Sequence, residues 1–160
     1  MKITFLTILS LAGLIWISGC SHPKERLPYL GNMEIKGTDT LYHTVPDITL
    51  IDQDSQVLHI GALKDKVILA DFFFTSCPSI CPKVTKQMLR LYERYKQDDR
   101  VMLISHTIDQ HNDSVSVLHR YAYNLGVDTE KWKFVTGEKD SIYDLADQYF
   151  VSVVEDPLAP

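Results

Sequence analysis

Val67-Ile68-Leu69-Ala70-Asp71-Phe72-Phe73-Phe74-Thr75-Ser76-Cys77-Pro78-Ser79-Ile80-Cys81-Pro82 runs an apolar segment, interrupted only by Asp71, straight into two cysteines four residues apart, each followed by a proline. The apolar part predicts a strand buried on both faces. The cysteines then fall at a strand-to-helix turn. With Cys77 as N-cap, Pro78 takes the first helical position and Pro82 kinks the helix a turn later; with Cys81 as N-cap, Pro82 opens the helix. Either way the thiols lie near unpaired backbone N–H groups and the positive end of the helix dipole, which favour thiolate over thiol. Two soft sulfur ligands in this position suit Cu(I) or disulfide chemistry. Two small hydrophobes capping a core are the plainer alternative. Packing alone, however, gives no reason for the repeated Cys-Pro.

Downstream, Val84, Met88, Leu91 and Tyr95 recur at helical spacing and predict the apolar face of the following helix. The same periodicity puts Cys77 and Cys81 on that side, over the carboxyl end of the preceding strand, where open α/β sheets build their sites. Further elements are expected as a hairpin of Ile48 to Ile51 with Val57 to Ile60, and a strand from Val101 to Ser105. A helix from Asn112 or Asp113 should carry Val115, Leu118, Ala122 and Leu125 inside and stop at Gly126. Trp132 to Thr136 reads as a strand, Ile142, Leu145, Ala146 and Tyr149 as one helix face, and Phe150 to Val154 as a last strand. Alternating strands and helices imply an α/β fold with right-handed crossovers and a partly parallel sheet.

The chain has three cysteines, too few for a disulfide framework or a four-cysteine zinc site. Its formal net charge of −5, with no basic run, argues against nucleic acid as a partner. Residues 1–19 read as a lipoprotein signal peptide: Lys2, an apolar stretch to Ile17, then Ser18-Gly19-Cys20, with Cys20 as the lipid-carrying residue. An uncut membrane span is the competing reading. Export would place the rest in an oxidising compartment, where a CxxxC pair needs a reducing partner. Residues 20–44, with Pro23, Pro28, Gly31 and Gly37, read as a tether, and residues 45–160 as the globular domain. After Val154 come only Glu155 to Pro160, so the domain is expected to be incomplete at its C-terminus.

Phe73-Phe74-Thr75-Ser76-Cys77-Pro78-Ser79-Ile80-Cys81-Pro82 resembles the F-T-x-C-P-x-x-C-P signature of the Sco/SenC family of thioredoxin-like copper chaperones for cytochrome c oxidase assembly. Ile104-Ser105-His106-Thr107-Ile108-Asp109 with Asp113 is similar to the family's V-S-x-x-x-D-P-x-x-D segment, and Trp132 to Gly137 to its W-x-x-L-T-G stretch; the lipoprotein-like leader also fits. The resemblance covers Val45 to Val154. It implies a thioredoxin-like fold with an N-terminal β-hairpin and copper, as Cu(I) or Cu(II), held by Cys77 and Cys81. It also implies delivery to the copper-bearing subunit of a respiratory oxidase. Localisation follows from the leader: lipid-anchored to a bacterial membrane through Cys20, with the domain facing the periplasm or extracytoplasmic side.

Gln110 replaces the family's proline after Asp109, and the family's third copper ligand, a histidine downstream of the last matched strand, has no counterpart before Pro160. His106 is the first candidate to substitute, being at the end of a strand near the cysteines. His22, His43, His59, His111 and His119 are expected to face solvent. Asp109 and Asp113 resemble the family's acidic positions near the site, with helix capping the alternative for Asp113. Asp71 has no assigned role at this level. Two other functions use the same residues: a thiol-disulfide oxidoreductase in which Cys77 attacks and Cys81 resolves, and a lipoprotein that has kept the scaffold and lost the metal.

Overall fold

The computed structural model describes residues 28–153; the leader, Cys20, His22 and the residues from Val154 onward lie outside the described residues. The chain divides into two units after His43. In the first, β1 (Glu34–Lys36) and β2 (Asp39–Leu41) pair antiparallel within the stretch read as tether. Gly37 takes φ +65° in the connecting turn, a conformation glycine adopts without strain.

The second unit is built on a five-stranded sheet. Its strands are β3 (Thr49–Asp52), β4 (Val57–His59), β5 (Val67–Phe73), β6 (Val101–Thr107) and β7 (Trp132–Thr136), in the order β4-β3-β7-β6-β5. Strands β5, β6 and β7 run parallel, while β3 is antiparallel to β4 and β7. The parallel pairs require crossovers, supplied by α1 (Cys81–Tyr95) between β5 and β6 and α2 (Val115–Leu125) between β6 and β7. A third helix, α3 (Lys139–Gln148), follows β7.

Alternation along the strands sends side chains to two cores. Phe73, Leu103, Trp132 and Phe134 pack with Cys77, Cys81, Met88, Tyr92, Leu118 and Ala122 under α1 and α2. Ile104, Val135 and Leu50 pack with Ile142 of α3 on the opposite face. The antiparallel hairpin is fastened to the sheet by polar groups as well. Asp52 accepts the backbone N–H groups of Asp54 and Gln56 at 2.9 and 2.8 Å and pairs with the buried Lys133 ammonium at 3.0 Å. The Gln53 side-chain Oε1 then accepts the Phe134 N–H at 2.7 Å, satisfying a buried donor of β7.

Four expectations need correcting. Strand β5 is only half-buried over most of its length, because it stands at the edge of the sheet rather than within it. The buried stripe of α1 is Cys81, Thr85, Met88 and Tyr92, one residue round from the expected face except at Met88. Thr85 and Tyr92 can lie inside because their polar atoms are satisfied: Thr85 Oγ1 meets Tyr121 Oη at 3.0 Å, and Tyr92 Oη accepts the Asp128 N–H at 2.9 Å. Strand β6 continues past Ser105 to Thr107, paired with β5 throughout. Residues 150–153 form no strand. Phe150 instead turns left-handed at φ 60°, and the N–H groups of Phe150 and Val151 close back on the carbonyls of Asp147 and Ala146 at the end of α3.

Candidate metal and redox site

Between β5 and α1 the chain makes an irregular turn, residues 74–80, tied at its start by the Cys77 N–H to the Phe74 carbonyl at 3.2 Å. Helix α1 begins with Cys81 and Pro82, where proline's missing N–H leaves no hydrogen bond unmade; the N-cap is Ile80. Cys77 therefore lies ahead of the helix, and the two cysteines are not neighbours on a helical face. They meet because the turn folds back, so that the Cys81 N–H donates to Cys77 Sγ at 3.4 Å.

Both thiols are free and little exposed. Their environments differ. Burial works against the Cys77 thiolate, but the Cys81 thiol and the backbone N–H groups of Cys81, Ser79 and Ile80 outweigh it and bring the pKa down to about 7. Burial pushes Cys81 up to about 11, and its donation to Cys77, together with the negative charges of Cys77 and Asp71, adds to the shift. The pair thus combines one activated sulfur with one that holds its proton. Beside them lies a cleft of about 310 Å³, walled by Phe74, Cys77, Cys81, Leu89, Tyr121 and Leu125.

Strand register explains Asp71. It stands opposite Ser105 in the β5–β6 ladder, and Ser105 Oγ donates to its carboxylate while accepting the Trp132 Nε1–H at 2.8 Å. Burial lifts the Asp71 pKa to about 6 against the effect of the Ser105 hydrogen bond. Asp113 is fully buried and caps nothing. Its oxygens accept the Thr75 N–H at 3.0 Å, the Thr75 hydroxyl, and the Thr107 hydroxyl at 2.5 Å. Asp109 turns to its own loop, accepting the backbone and side-chain N–H groups of Asn112 at 3.2 and 2.8 Å. The residues missed from sequence are Ser105, Thr107 and Thr85. Ser105 and Thr107 carry a signal, two polar residues at period two facing Asp71 and Phe73 across the ladder.

His106 does not reach the thiols. It points to the opposite face of the sheet, stacked on Phe72 at 4.9 Å between ring centroids and 6.0 Å from the ring of Tyr149. Its Nδ1–H donates to the Asp71 carbonyl at 3.2 Å, Nε2 is buried with no partner, and burial holds its pKa down at about 4. His59, His111 and His119 are exposed, His119 beside Asp54 at 3.1 Å, and His43 is half-buried. Among the described residues no third His, Cys, Asp or Glu joins the two sulfurs to complete a metal cluster. The donor set is therefore two thiols, one of them readily ionised. It fits a soft monovalent ion of low coordination number and falls short of the four ligands zinc prefers.

The SCO1/SenC family model matches residues 37–159. The SCO1 protein homologue of Bacillus subtilis is 34% identical over 148 residues, covering 91% of this chain and 72% of that protein. Among solved structures, BsSco, a member of the Sco family of cytochrome c oxidase assembly proteins in which a disulfide switch was identified, superposes with a TM-score of 0.63. It is 33% identical, over 72% of this chain and 68% of that one. A SCO1/SenC family lipoprotein from Bacillus anthracis gives a TM-score of 0.64 at 28% identity, over 71% and 69% of the two chains. These likenesses bear out the thioredoxin-like α/β expectation, and the extent of the match, reaching through both cysteines and the sheet that carries them, shows that the chain belongs to the SCO1/SenC family.

Proposed function

We propose that the protein holds Cu(I) through Cys77 and Cys81 as cargo and passes it to the copper-bearing subunit of a respiratory cytochrome c oxidase, from a position anchored to a bacterial membrane by lipid on Cys20. The observation that carries this reading is the paired sulfurs between β5 and α1, with a thiolate available near neutral pH and, among the described residues, no closed four-ligand cage around it. Thiolates bind Cu(I) in low coordination numbers and surrender it by ligand exchange, which suits a carrier. Kinship with oxidase assembly proteins supports the destination, and kinship with a family lipoprotein supports the anchor.

Competition titration of the reduced domain against a Cu(I) chelator tests the metal. Stoichiometric uptake, preferred over Zn(II) and lost in Cys77→Ser or Cys81→Ser, is expected; binding retained by the double variant overturns the assignment. For the anchor, Cys20→Ala should move the protein from the membrane fraction to the soluble one.

The asymmetry of the thiols favours a second reading, thiol-disulfide exchange. Cys77 thiolate attacks a disulfide sulfur of the target and releases one target thiolate. Deprotonated Cys81 then displaces the second, leaving a Cys77–Cys81 disulfide and a reduced target, until an external thiol reductant restores the pair. In the closed state both sulfurs are engaged with each other, so copper loading and redox state are coupled. Reduction of the oxidised target subunit by the copper-free protein, at a rate that Cys77→Ser abolishes, distinguishes this activity from metal transfer.

A further inference from the structure

Resting on the reading of Cys77 and Cys81 as the functional pair, we infer that Asp113 is a positioning residue for it, fixing through Thr75 and Thr107 the turn that holds Cys77 against Cys81 at the start of α1. Asp113 stands immediately before Ser114, the N-cap residue of α2, one position short of where a carboxylate caps helix N–H groups. Both its oxygens turn away to the cysteine turn and the end of β6 instead. A carboxylate with no exposed surface is costly to bury, and here three donors compensate it, two of them on Thr75, two residues before Cys77.

The turn has little else to hold it. It lacks regular structure, and inside it the Cys77 N–H to Phe74 carbonyl bond sets only the first bend. Thr107 is the residue opposite Phe73 at the end of the β5–β6 ladder, and the Ile108 N–H donates to the Phe73 carbonyl at 2.9 Å. Asp113 joins these two points, so the position of Cys77 relative to the Cys81 N–H depends on a side chain 36 residues away in sequence. The Asp113 loop is itself closed by the Asp113 N–H to the Asp109 carbonyl at 2.9 Å, which keeps the carboxylate aimed inward.

The test compares Asp113→Ala, Asp113→Asn and Thr75→Val with wild type in three measurements: thermal melting, Cu(I) competition against a chelator, and the thiol-disulfide equilibrium of the pair in glutathione buffers. Each variant is expected to bind Cu(I) about 10 to 100-fold more weakly, the sensitivity typical of groups that orient ligands. A shift of about tenfold in the glutathione equilibrium should accompany the loss. Asn should behave like Ala, because its amide N–H₂ would face donors, and Thr75→Ser, which keeps the hydroxyl, should restore wild-type behaviour. Lys133→Met, which destabilises the sheet from β7, controls for lost stability and should leave the equilibrium unmoved. Folded Asp113 and Thr75 variants with wild-type affinity and wild-type equilibrium overturn the inference. If Asp113→Ala fails to fold, Thr75→Val, which removes one hydroxyl only, decides. Should wild type take up no Cu(I), the copper reading falls while the glutathione equilibrium still decides the role of Asp113.

Discussion

At the scale of single residues, the two titratable groups on β5 and β6 pull stability in opposite directions with pH. His106 is a base whose pKa is depressed to about 4, so its contribution is complete above its ordinary value near 6.5 and is lost as pH falls through 4. Asp71 is an acid whose pKa is raised to about 6, so its contribution is complete below its ordinary 3.8 and is lost as pH rises through 6. Urea unfolding of His106→Phe between pH 7 and 4 should show a shallower acid loss than wild type, by up to roughly 3 kcal/mol at the acid end. Asp71→Asn should show a steeper one. Parallel curves would mean that neither group titrates with folding. For the cysteines, iodoacetamide at pH 7 should label Cys77 first, with a rate midpoint near pH 7, and peptide mapping reads the site. Cys77 and Cys81 were legible in the sequence because spacing and prolines advertise them. The role of Asp71 was not, and Asp113 was legible only as an acid near the site, since what each does lies in partners that only the fold brings alongside: Ser105 on β6 for Asp71, Thr75 in the turn and Thr107 on β6 for Asp113.

Elements were legible where a pattern of apolar residues met a local stop signal. Helix α2 ends at Gly126 as its sequence announces, with φ +67° and no atom within 4 Å of a would-be Cβ. Gly126→Ala should therefore cost only the backbone penalty, about 1 kcal/mol, and Gly126→Asn less. A loss of several kcal/mol would reveal a packing role that the open surroundings deny. Apolarity alone places the inner face of α1 one residue out, because it cannot show that Thr85 and Tyr92 have buried partners. The segment after α3 misled for a related reason: Phe150-Val151-Ser152-Val153 has strand propensity, but the helix end takes its first amides. Between β3 and β7, Lys133→Met strands the Asp52 carboxylate in a buried position and should cost about 3 to 5 kcal/mol in urea unfolding. Asp52→Asn added to it should recover part of that loss; no recovery would mean that the lysine acts through packing alone.

Over the whole second unit, alternating strands and helices announced the parallel part of the sheet, but the lateral order of strands was not in the pattern. That β5 would stand at the edge emerges only from the assembled sheet. Hydrogen exchange should follow this order. The amides of residues 103–106 and 132–135 are expected to be the slowest, with β4 and the β1–β2 hairpin the fastest. Slower exchange in β5 than in β6 would contradict the placement. The unequal acidity of the two sulfurs has a further consequence for the proposed cargo. Uptake of Cu(I) by both at pH 7 must expel about one and a half protons, the whole of one from Cys81 and about half of one from Cys77. Loading is then itself a proton-releasing reaction, measurable as acidification of a weakly buffered sample, and its apparent affinity should climb about 30-fold per pH unit near neutrality.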